Sequence, residues 1–234
     1  EIKYLGAFRN MELQAGVQWN YFGYSNEVYD TNYNPLELEA GSFFNYFARI
    51  FINSYANLYY PQKGWLGKME AKLITNNFIS YGEYTPIGTL SFDLETALSI
   101  TNRFTILPRI AGRRIWGDKI PPIYLNCMGG DLSGRYLPQQ IAFPGICNIQ
   151  LFDNTLLMGQ LAFRYRIAKK HYTYLIGGYA KNGDTLGSLL DNKNIWAGTA
   201  KYSYDSAIGP ISIAINYSNW VKEVGVYINL GYYF

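Results

Sequence analysis

The chain has 234 residues and a formal net charge of +3, and 18% of its residues are aromatic while only 16% are charged. It contains no run of 18 or more apolar residues, which excludes a transmembrane helix. The 20 lysines and arginines form no run and are interleaved with 17 acidic residues, which excludes nucleic acid as a partner. Apolar residues instead alternate with polar ones between Gly, Pro, Asn, Asp and Ser positions, which predicts an all-β protein with many strands.

The alternation predicts about twelve strands, within a range of 10 to 16. It is clearest near the C-terminus, where Val224, Val226 and Ile228 share one face of a strand. It is least regular in the first strand and between Phe43 and Tyr60, where apolar residues run together. In chain order the predicted strands span residues 2–9, 12–24, 36–47, 49–60, 65–77, 88–101, 103–116, 152–167, 170–181, 194–204, 208–218 and 222–234.

The length of these segments separates two all-β folds. In a β-sandwich the apolar face of each strand would pack against a second sheet. The segments run to about 10–14 residues, however, whereas globular strands average about 5–6 and tilted bilayer crossings need about 9–11. The aromatic residues also exceed what a sandwich core buries, and two interfacial girdles of Tyr and Trp would use them. The sequence therefore favours one transmembrane antiparallel β-barrel domain over residues 1–234.

Charged residues fall on the inner face of the predicted barrel. A turn near residues 101–103 would bring Glu95 close to Arg109 on the next strand. The same pairing would bring Asp93 close to Arg113. Oppositely charged residues would then neutralise each other in a polar lumen. Further charges predicted in the lumen are Lys68, Glu70, Lys72, Arg164 and Arg166.

One long connection, residues 117–152, interrupts the strands, and long structured loops are usually functional. An alternating strand follows it at residues 156–166. Its motif residues are Gly129, Gly130, Gly134, Arg135 and Tyr136. This region resembles the conserved lumen loop of the bacterial surface antigen superfamily, the outer-membrane assembly and two-partner-secretion barrels. The string 135–140, together with the last two strands, looks most like the C-terminal barrel of outer-membrane patatin-like phospholipases.

The resemblance implies that the loop, with Arg135, folds into the lumen. Two departures stand out: the family usually has Arg-Gly-Phe or Arg-Gly-Tyr where this chain has Gly134-Arg135-Tyr136, and no carboxylate lies between Asp153 and Asp184. A partner for Arg135 would then come from Asp93 or Glu95, or be neutral. The family barrel has sixteen strands behind periplasmic domains and, in the patatin type, a lipase domain. Because the chain begins with Glu, we expect a mature or excised polypeptide without those upstream domains.

The C-terminal residues Leu230, Tyr232 and Phe234 alternate towards the end of the chain. They resemble the signal that the barrel-assembly machinery reads by edge pairing. The alternative is a simple aromatic anchor at the membrane interface.

No catalytic motif is found in the sequence. The single histidine, His171, does not lie two residues before a serine, and Ser133 lies outside any Gly-x-Ser-x-Gly elbow. We predict no catalytic residue, metal site or cofactor in this chain. For Cys127 and Cys147 two states are open: free thiols, or a disulfide that would contribute about 3 kcal/mol.

The predicted function is a non-enzymatic barrel in the bacterial outer membrane that anchors or translocates, as in patatin-like phospholipases. The alternative is a protein translocation or assembly barrel, or a passive channel. The expected partners are outer-membrane lipid, the barrel-assembly machinery during biogenesis, and upstream domains of the same polypeptide.

Overall fold

The computed structural model describes residues 2–8, 10–23 and 41–231, and nearly all regular structure in them is β-strand. None of the helices in that part of the chain is long and apolar enough to span a membrane. In chain order the strands are β1 (Ile2–Phe8), β2 (Met11–Phe22), β3 (Gly41–Asn53), β4 (Lys63–Thr75), β5 (Ile87–Ser99), β6 (Phe104–Trp116), β7 (Asn126–Met128), β8 (Gln140–Ile141), β9 (Gln150–Phe152), β10 (Thr155–Ala168), β11 (His171–Gly183), β12 (Ile195–Ser206), β13 (Gly209–Ser218) and β14 (Val224–Leu230). A 3-10 turn lies at Pro122–Tyr124.

Eleven of these strands form one antiparallel sheet, in the order β1-β2-β3-β4-β5-β6-β10-β11-β12-β13-β14. Sequence neighbours pair throughout, except that β6 pairs with β10 across the inserted connection. Within that connection, β7, β8 and β9 form a separate three-stranded sheet. The long strands of 10 to 14 residues match the length that a tilted membrane crossing needs.

The sheet curves around the connection that it carries. The Tyr124 hydroxyl of the connection donates to Asn45 Oδ1 on β3 at 3.1 Å. Asp131 Oδ2 of the same connection accepts from Asn229 Nδ2 on β14 at 2.5 Å. Because β3 and β14 lie near opposite ends of the strand order, the walls surround the connection as in a β-barrel. The predicted all-β barrel class is therefore confirmed.

The predicted strands 36–47 and 49–60 are wrong as two separate elements. The described part of this region holds one strand, β3, followed by a turn of residues 54–62. Asn side chains stop the strand: Asn53 Oδ1 accepts from the Tyr55 amide at 3.0 Å, and Asn57 Oδ1 accepts from the Tyr60 amide at 3.0 Å. These local bonds compete with strand pairing.

Apolar side chains on β14 point outward, as the alternation predicts, with exposures of 69% for Val224, 59% for Val226, 64% for Ile228 and 73% for Leu230. Tyr232 and Phe234 lie outside the described residues. Exposed aromatic residues gather near both ends of the strands. At one end they are Trp19, Tyr21, Trp116, Trp196 and Tyr217, and at the other Trp65, Tyr165 and Tyr202. They match the two girdles expected at the membrane interfaces.

The two ends of the barrel differ in their connections. Short turns at residues 100–103, 169–170 and 207–208 lie at one end, called here the short-turn end, and the turn 54–62 lies there too. Longer connections at residues 76–86, 117–154 and 184–194 lie at the other, the long-loop end. In bacterial outer-membrane barrels the short turns face the periplasm.

Candidate functional site

The connection of residues 117–154, called here the lumen loop, has a folded base and a polar tip. In the base, β7 pairs parallel with β8 and antiparallel with β9. Gly129 has a φ of +135°, and a Cβ there would lie 2.6 Å from the Asn148 carbonyl oxygen. The position therefore requires glycine, and its amide donates to the Ile141 carbonyl at 2.9 Å. The neighbouring Gly130 has a φ of +74°.

The base packs against the inner wall through an apolar cluster. Its large side chains are nearly inaccessible, with Met128 0% and Phe143 1% exposed. The loop contributes Met128, Ile141, Phe143, Ile146 and Phe152, and the wall contributes Ala111, Leu156, Met158, Ala180, Ile195 and Ala197. This half of the lumen is a packed core.

Arg109 on β6 joins the wall to the tip, which comprises residues 130–140. Its guanidinium forms a bidentate pair with Asp93, with N···O distances of 2.7 and 2.6 Å. It also donates to Ser133 Oγ at 2.6 Å and to the Ala142 carbonyl at 3.3 Å. A wall arginine thus binds loop oxygen atoms.

Arg113 holds the base in the same way. It is buried, and its Nη1 donates to the Tyr124 carbonyl at 2.9 Å and to Asn126 Oδ1 at 2.6 Å. Asn126 in turn donates to the Asp153 carbonyl at 2.7 Å. These bonds tie the beginning of the base to its end.

The expected ion pairs across β5 and β6 are only partly correct. Glu95 lies directly opposite Arg109 in the register, as predicted. The guanidinium nevertheless pairs with Asp93, two residues away along β5. The expected pairing of Asp93 with Arg113 is wrong, because Arg113 lies opposite Ser91 and its donors are used by the loop.

The predicted motif residues other than Gly129 lie in the tip. Gly134 has a φ of +74° and begins a seven-residue loop, which its amide closes by donating to the Gln140 carbonyl at 3.0 Å. Arg135 pairs with Asp131 at 3.2 Å and lies over the Tyr136 ring at 5.5 Å. Its carboxylate partner is thus a residue of its own loop, where we expected Asp93 or Glu95 of the wall or a neutral partner. We expected the loop to supply the cation of the contact between loop and wall. In the structure the wall supplies it, through Arg109.

A second inward segment, which the sequence reading missed, is the turn 54–62 at the short-turn end. Tyr60 is 6% exposed, stacks on Tyr172 of β11 at 4.1 Å and bonds to Ser203 Oγ of β12 at 2.8 Å. The next carbonyl, that of Pro61, accepts from Arg164 Nη2 of β10 at 2.5 Å. The turn therefore crosses the lumen from β3 and β4 to the opposite wall.

The first half of the turn contacts the other lumen carboxylate. The Tyr55 hydroxyl donates to Glu95 Oε1 at 3.0 Å. Burial and the neighbouring carboxylate raise the pKa of the Tyr55 phenol well above its usual range, so it stays a donor. The residues Asn-Leu-Tyr-Tyr-Pro-Gln, at positions 57–62, carry a sequence signal that could have revealed this turn: an asparagine and a proline, which both break strand pairing.

Comparison with known families agrees with this architecture: the family model of the OMP85 superfamily matches residues 6–234. The chain belongs to the OMP85 superfamily. Its members are outer-membrane β-barrels of Gram-negative bacteria, of the translocation and assembly type. The superfamily expected from the loop motif is thus confirmed. No curated protein compared with the chain matches it.

The other predicted lumen charges of this OMP85 barrel also have defined places. Arg164 is 3% exposed and donates to Thr105 Oγ1 at 3.1 Å as well as to the turn 54–62. Arg166 lies half-buried near the short-turn end of β10. Three cations surround Glu70 on β4. Its carboxylate is bonded to Arg49 and lies 2.8 Å from the Lys72 ammonium and 3.6 Å from the Lys68 ammonium.

The two cysteines of the OMP85 lumen loop are free thiols. Cys127 is completely buried in the middle strand of the three-stranded sheet, and burial raises its pKa to about 11. Cys147 faces the wall instead, with its sulfur 3.9 Å from Asn216 Nδ2 on β13. Because the two side chains lie in different surroundings, the disulfide left open by the sequence is not formed. Within residues 2–8, 10–23 and 41–231, no three His, Cys, Asp or Glu residues are grouped to hold a metal ion.

Proposed function

We propose that this chain is a closed anchoring barrel, which holds a protein in the bacterial outer membrane without conducting at rest. In this proposal it is the membrane domain of a protein of the patatin-like phospholipase type, which the string 135–140 and the last two strands resemble. Outer-membrane lipid covers its apolar outer face. The barrel-assembly machinery inserts it and reads the exposed edge that ends at Leu230.

The buried base of the lumen loop is the observation that carries the proposal. Five large apolar side chains of the loop pack in the inner cluster. Exposing all five would cost about 8–15 kcal/mol, at about 1.5–3 kcal/mol each. The ionic contacts of the polar tip are worth only a few kcal/mol in total. The tip can therefore open while the base stays in place, and the lumen remains filled.

The inward turn 54–62 adds a second closure at the short-turn end. Its Tyr60 and Pro61 contact β10, β11 and β12 on the opposite wall. An open polypeptide or solute path would have to displace both the base and this turn. Two independent closures favour an anchor over a permanent channel.

Conductance of the purified barrel in planar bilayers tests closure. We expect no channel steps from the intact protein, and none when residues 131–139 are replaced by a short Gly-Ser linker, because the base and the turn 54–62 remain. Steady channel steps from either form would reject the anchoring proposal. Protein that is heat-modifiable on a gel provides the control that the barrel is folded.

The patatin-type part of the proposal has a separate test. We expect the native protein, extracted from outer membranes, to have an intact mass well above the 26.7 kDa of this chain and to show lipase activity. The isolated barrel should show none. A native mass near 26.7 kDa would remove the anchored enzyme from the proposal.

Translocation or assembly is the second candidate, and it is the general role of the superfamily. The polar tip favours it, because Arg135 and Tyr136 are exposed inside the barrel and are held mainly by hydrogen bonds. Channel steps that appear only after replacement of residues 131–139 would favour this candidate.

A further inference from the structure

A cavity of about 660 Å³ lies in the lumen between the lumen loop and the turn 54–62. Its volume falls within the range of about 300–1,000 Å³ that is typical of small-molecule sites. Part of its wall is apolar, formed by Leu107, Ala162 and Ile176. Charged side chains of both signs complete the lining.

All three carboxylates that line this cavity already have donors. Asp93 accepts from Nε and Nη2 of Arg109, and Glu95 accepts from the Tyr55 hydroxyl. Asp131 accepts from an asparagine of β14 at 2.5 Å. The negative charges of the cavity are therefore satisfied.

Two of the cations that line the cavity lack a close partner of opposite charge. Lys68 shares Glu70 with its neighbours, at 3.6 Å. Arg164 and Lys201, by contrast, have no carboxylate within ion-pair distance in the described part of the chain. Glu95 and Asp131 act on Arg164 and Lys201 only at longer range, and the Arg164 guanidinium lies 5.7 Å from the centre of the Tyr172 ring. A cation without a close anion in a low-dielectric site is costly, and an anionic ligand would offset that cost.

The Arg164 guanidinium has a hydrogen-bond donor that is not used. Its Nη2 is used by Pro61 and Thr105. Its Nη1 is buried and has no hydrogen-bond partner among the described residues. Buried donors without a partner are rare in folded proteins, and a bound ligand is one of the accepted reasons for them.

The sheet register places the two cations side by side. Arg164 on β10 lies opposite Tyr174 on β11, which lies opposite Lys201 on β12. The Lys201 ammonium is 5.6 Å from the centre of the Tyr174 ring. Two strand spacings separate the backbones by about 10 Å, a gap that these long side chains can close around one acidic group.

We infer that this cavity binds a small amphiphilic anion, with its acidic group between Arg164 and Lys201 and its apolar part on Leu107, Ala162 and Ile176. The acidic group is a carboxylate or a phosphate-type group, since both accept from a guanidinium and an ammonium. Fatty acids and lysophospholipid-like molecules share this chemistry.

Calorimetric titration of the purified barrel in a nonionic detergent tests the site. The probes are 4-phenylbutyrate for a carboxylate and 4-phenylbutylphosphonate for a phosphate-type group, each corrected for titration into protein-free micelles. The uncharged 4-phenyl-1-butanol is the matched control. We expect saturable 1:1 binding of at least one anion, and the better probe identifies the acidic group. Failure of both anions to bind, or equal binding of the alcohol, overturns the inference.

Substitution of Lys201 locates the site. Lys201→Met keeps the side-chain length and removes the charge, and should weaken anion binding about 10- to 150-fold, as expected for loss of one charged hydrogen bond. Lys201→Arg should retain most of the affinity. Lys169→Met, at an exposed turn residue, should bind as the parent does. Unchanged affinity in Lys201→Met, in protein that is heat-modifiable like the parent, overturns the placement. So does equal weakening in Lys169→Met.

Discussion

Arg109 should determine how often the tip of the lumen loop opens. Arg109→Met keeps a side chain of similar length but removes the bonds to Ser133 Oγ at 2.6 Å and to the Ala142 carbonyl at 3.3 Å. A hydrogen bond to a charged group is worth about 1.5–3 kcal/mol, and the longer second bond adds little. Ser133 Oγ still accepts from the Ala142 amide at 2.9 Å, so Ser133 does not lose its only donor. The tip should lose about 2–3 kcal/mol, and open roughly 30- to 150-fold more often.

Hydrogen exchange measured by mass spectrometry on peptides covering residues 130–142 reads this opening directly. Ser133→Ala should act in the same direction, because it removes the same bond between Arg109 and Ser133 Oγ while it leaves the Arg109–Asp93 pair of the wall intact. Arg114→Met, an exposed neighbour on β6, is the control and should exchange like the parent. Peptides from the apolar base should stay protected in every variant. If Arg109→Met exchanges in the tip no faster than Arg114→Met, Arg109 does not hold the tip closed and our reasoning fails.

Three further predictions concern the closures and the loop core. Tyr60→Ala should lower the free energy of unfolding by about 3–5 kcal/mol and Tyr60→Phe by only about 1 kcal/mol, in chemical denaturation; equal losses would contradict the packing role of the ring. At pH 8 the buried Cys127 thiol, with a pKa of about 11, stays protonated, so iodoacetamide should label Cys147 first. Mass spectrometry of peptides measures the order of labelling, and the reverse order would contradict this prediction. Gly145→Ala forces an L-residue to a φ of +78° and should lower the melting temperature, whereas Gly159→Ala, whose new Cβ meets nothing within 4 Å, should not; equal melting temperatures would contradict the strain.

The outer surface of the barrel is where sequence reasoning works best. Alternation along residues 224–230 predicts which side chains face lipid, and Val224, Ile228 and Leu230 are indeed exposed. Period two is a property of the strand itself, so no knowledge of the rest of the fold is needed. The register opposite Arg109 was also predictable, because a four-residue turn fixes the pairing of β5 with β6.

The interior was harder because its partners are distant in sequence. Tyr60 bonds to Ser203, which is 143 residues away in the sequence. The local pattern around Tyr60 is apolar and aromatic, so it predicted a strand where the structure has an inward turn. The choice of Arg109 between Asp93 and Glu95 depends on side-chain geometry, since both carboxylates lie on the same face of β5. The motif reading likewise placed Arg135 in the lumen but could not reveal that Asp131 of the same loop pairs with it.

The three-stranded sheet of the lumen loop has a consequence for the order of assembly. Its pairing involves only residues 126–152, so it closes short chain segments at a small entropic cost and can form early. Its apolar side chains then present a surface against which β10, β11 and β12 can pack as these strands form, since all three contribute residues to the same apolar cluster. The loop would act as an internal template during folding, and a variant that disrupts it should slow barrel formation even if the finished barrel is stable.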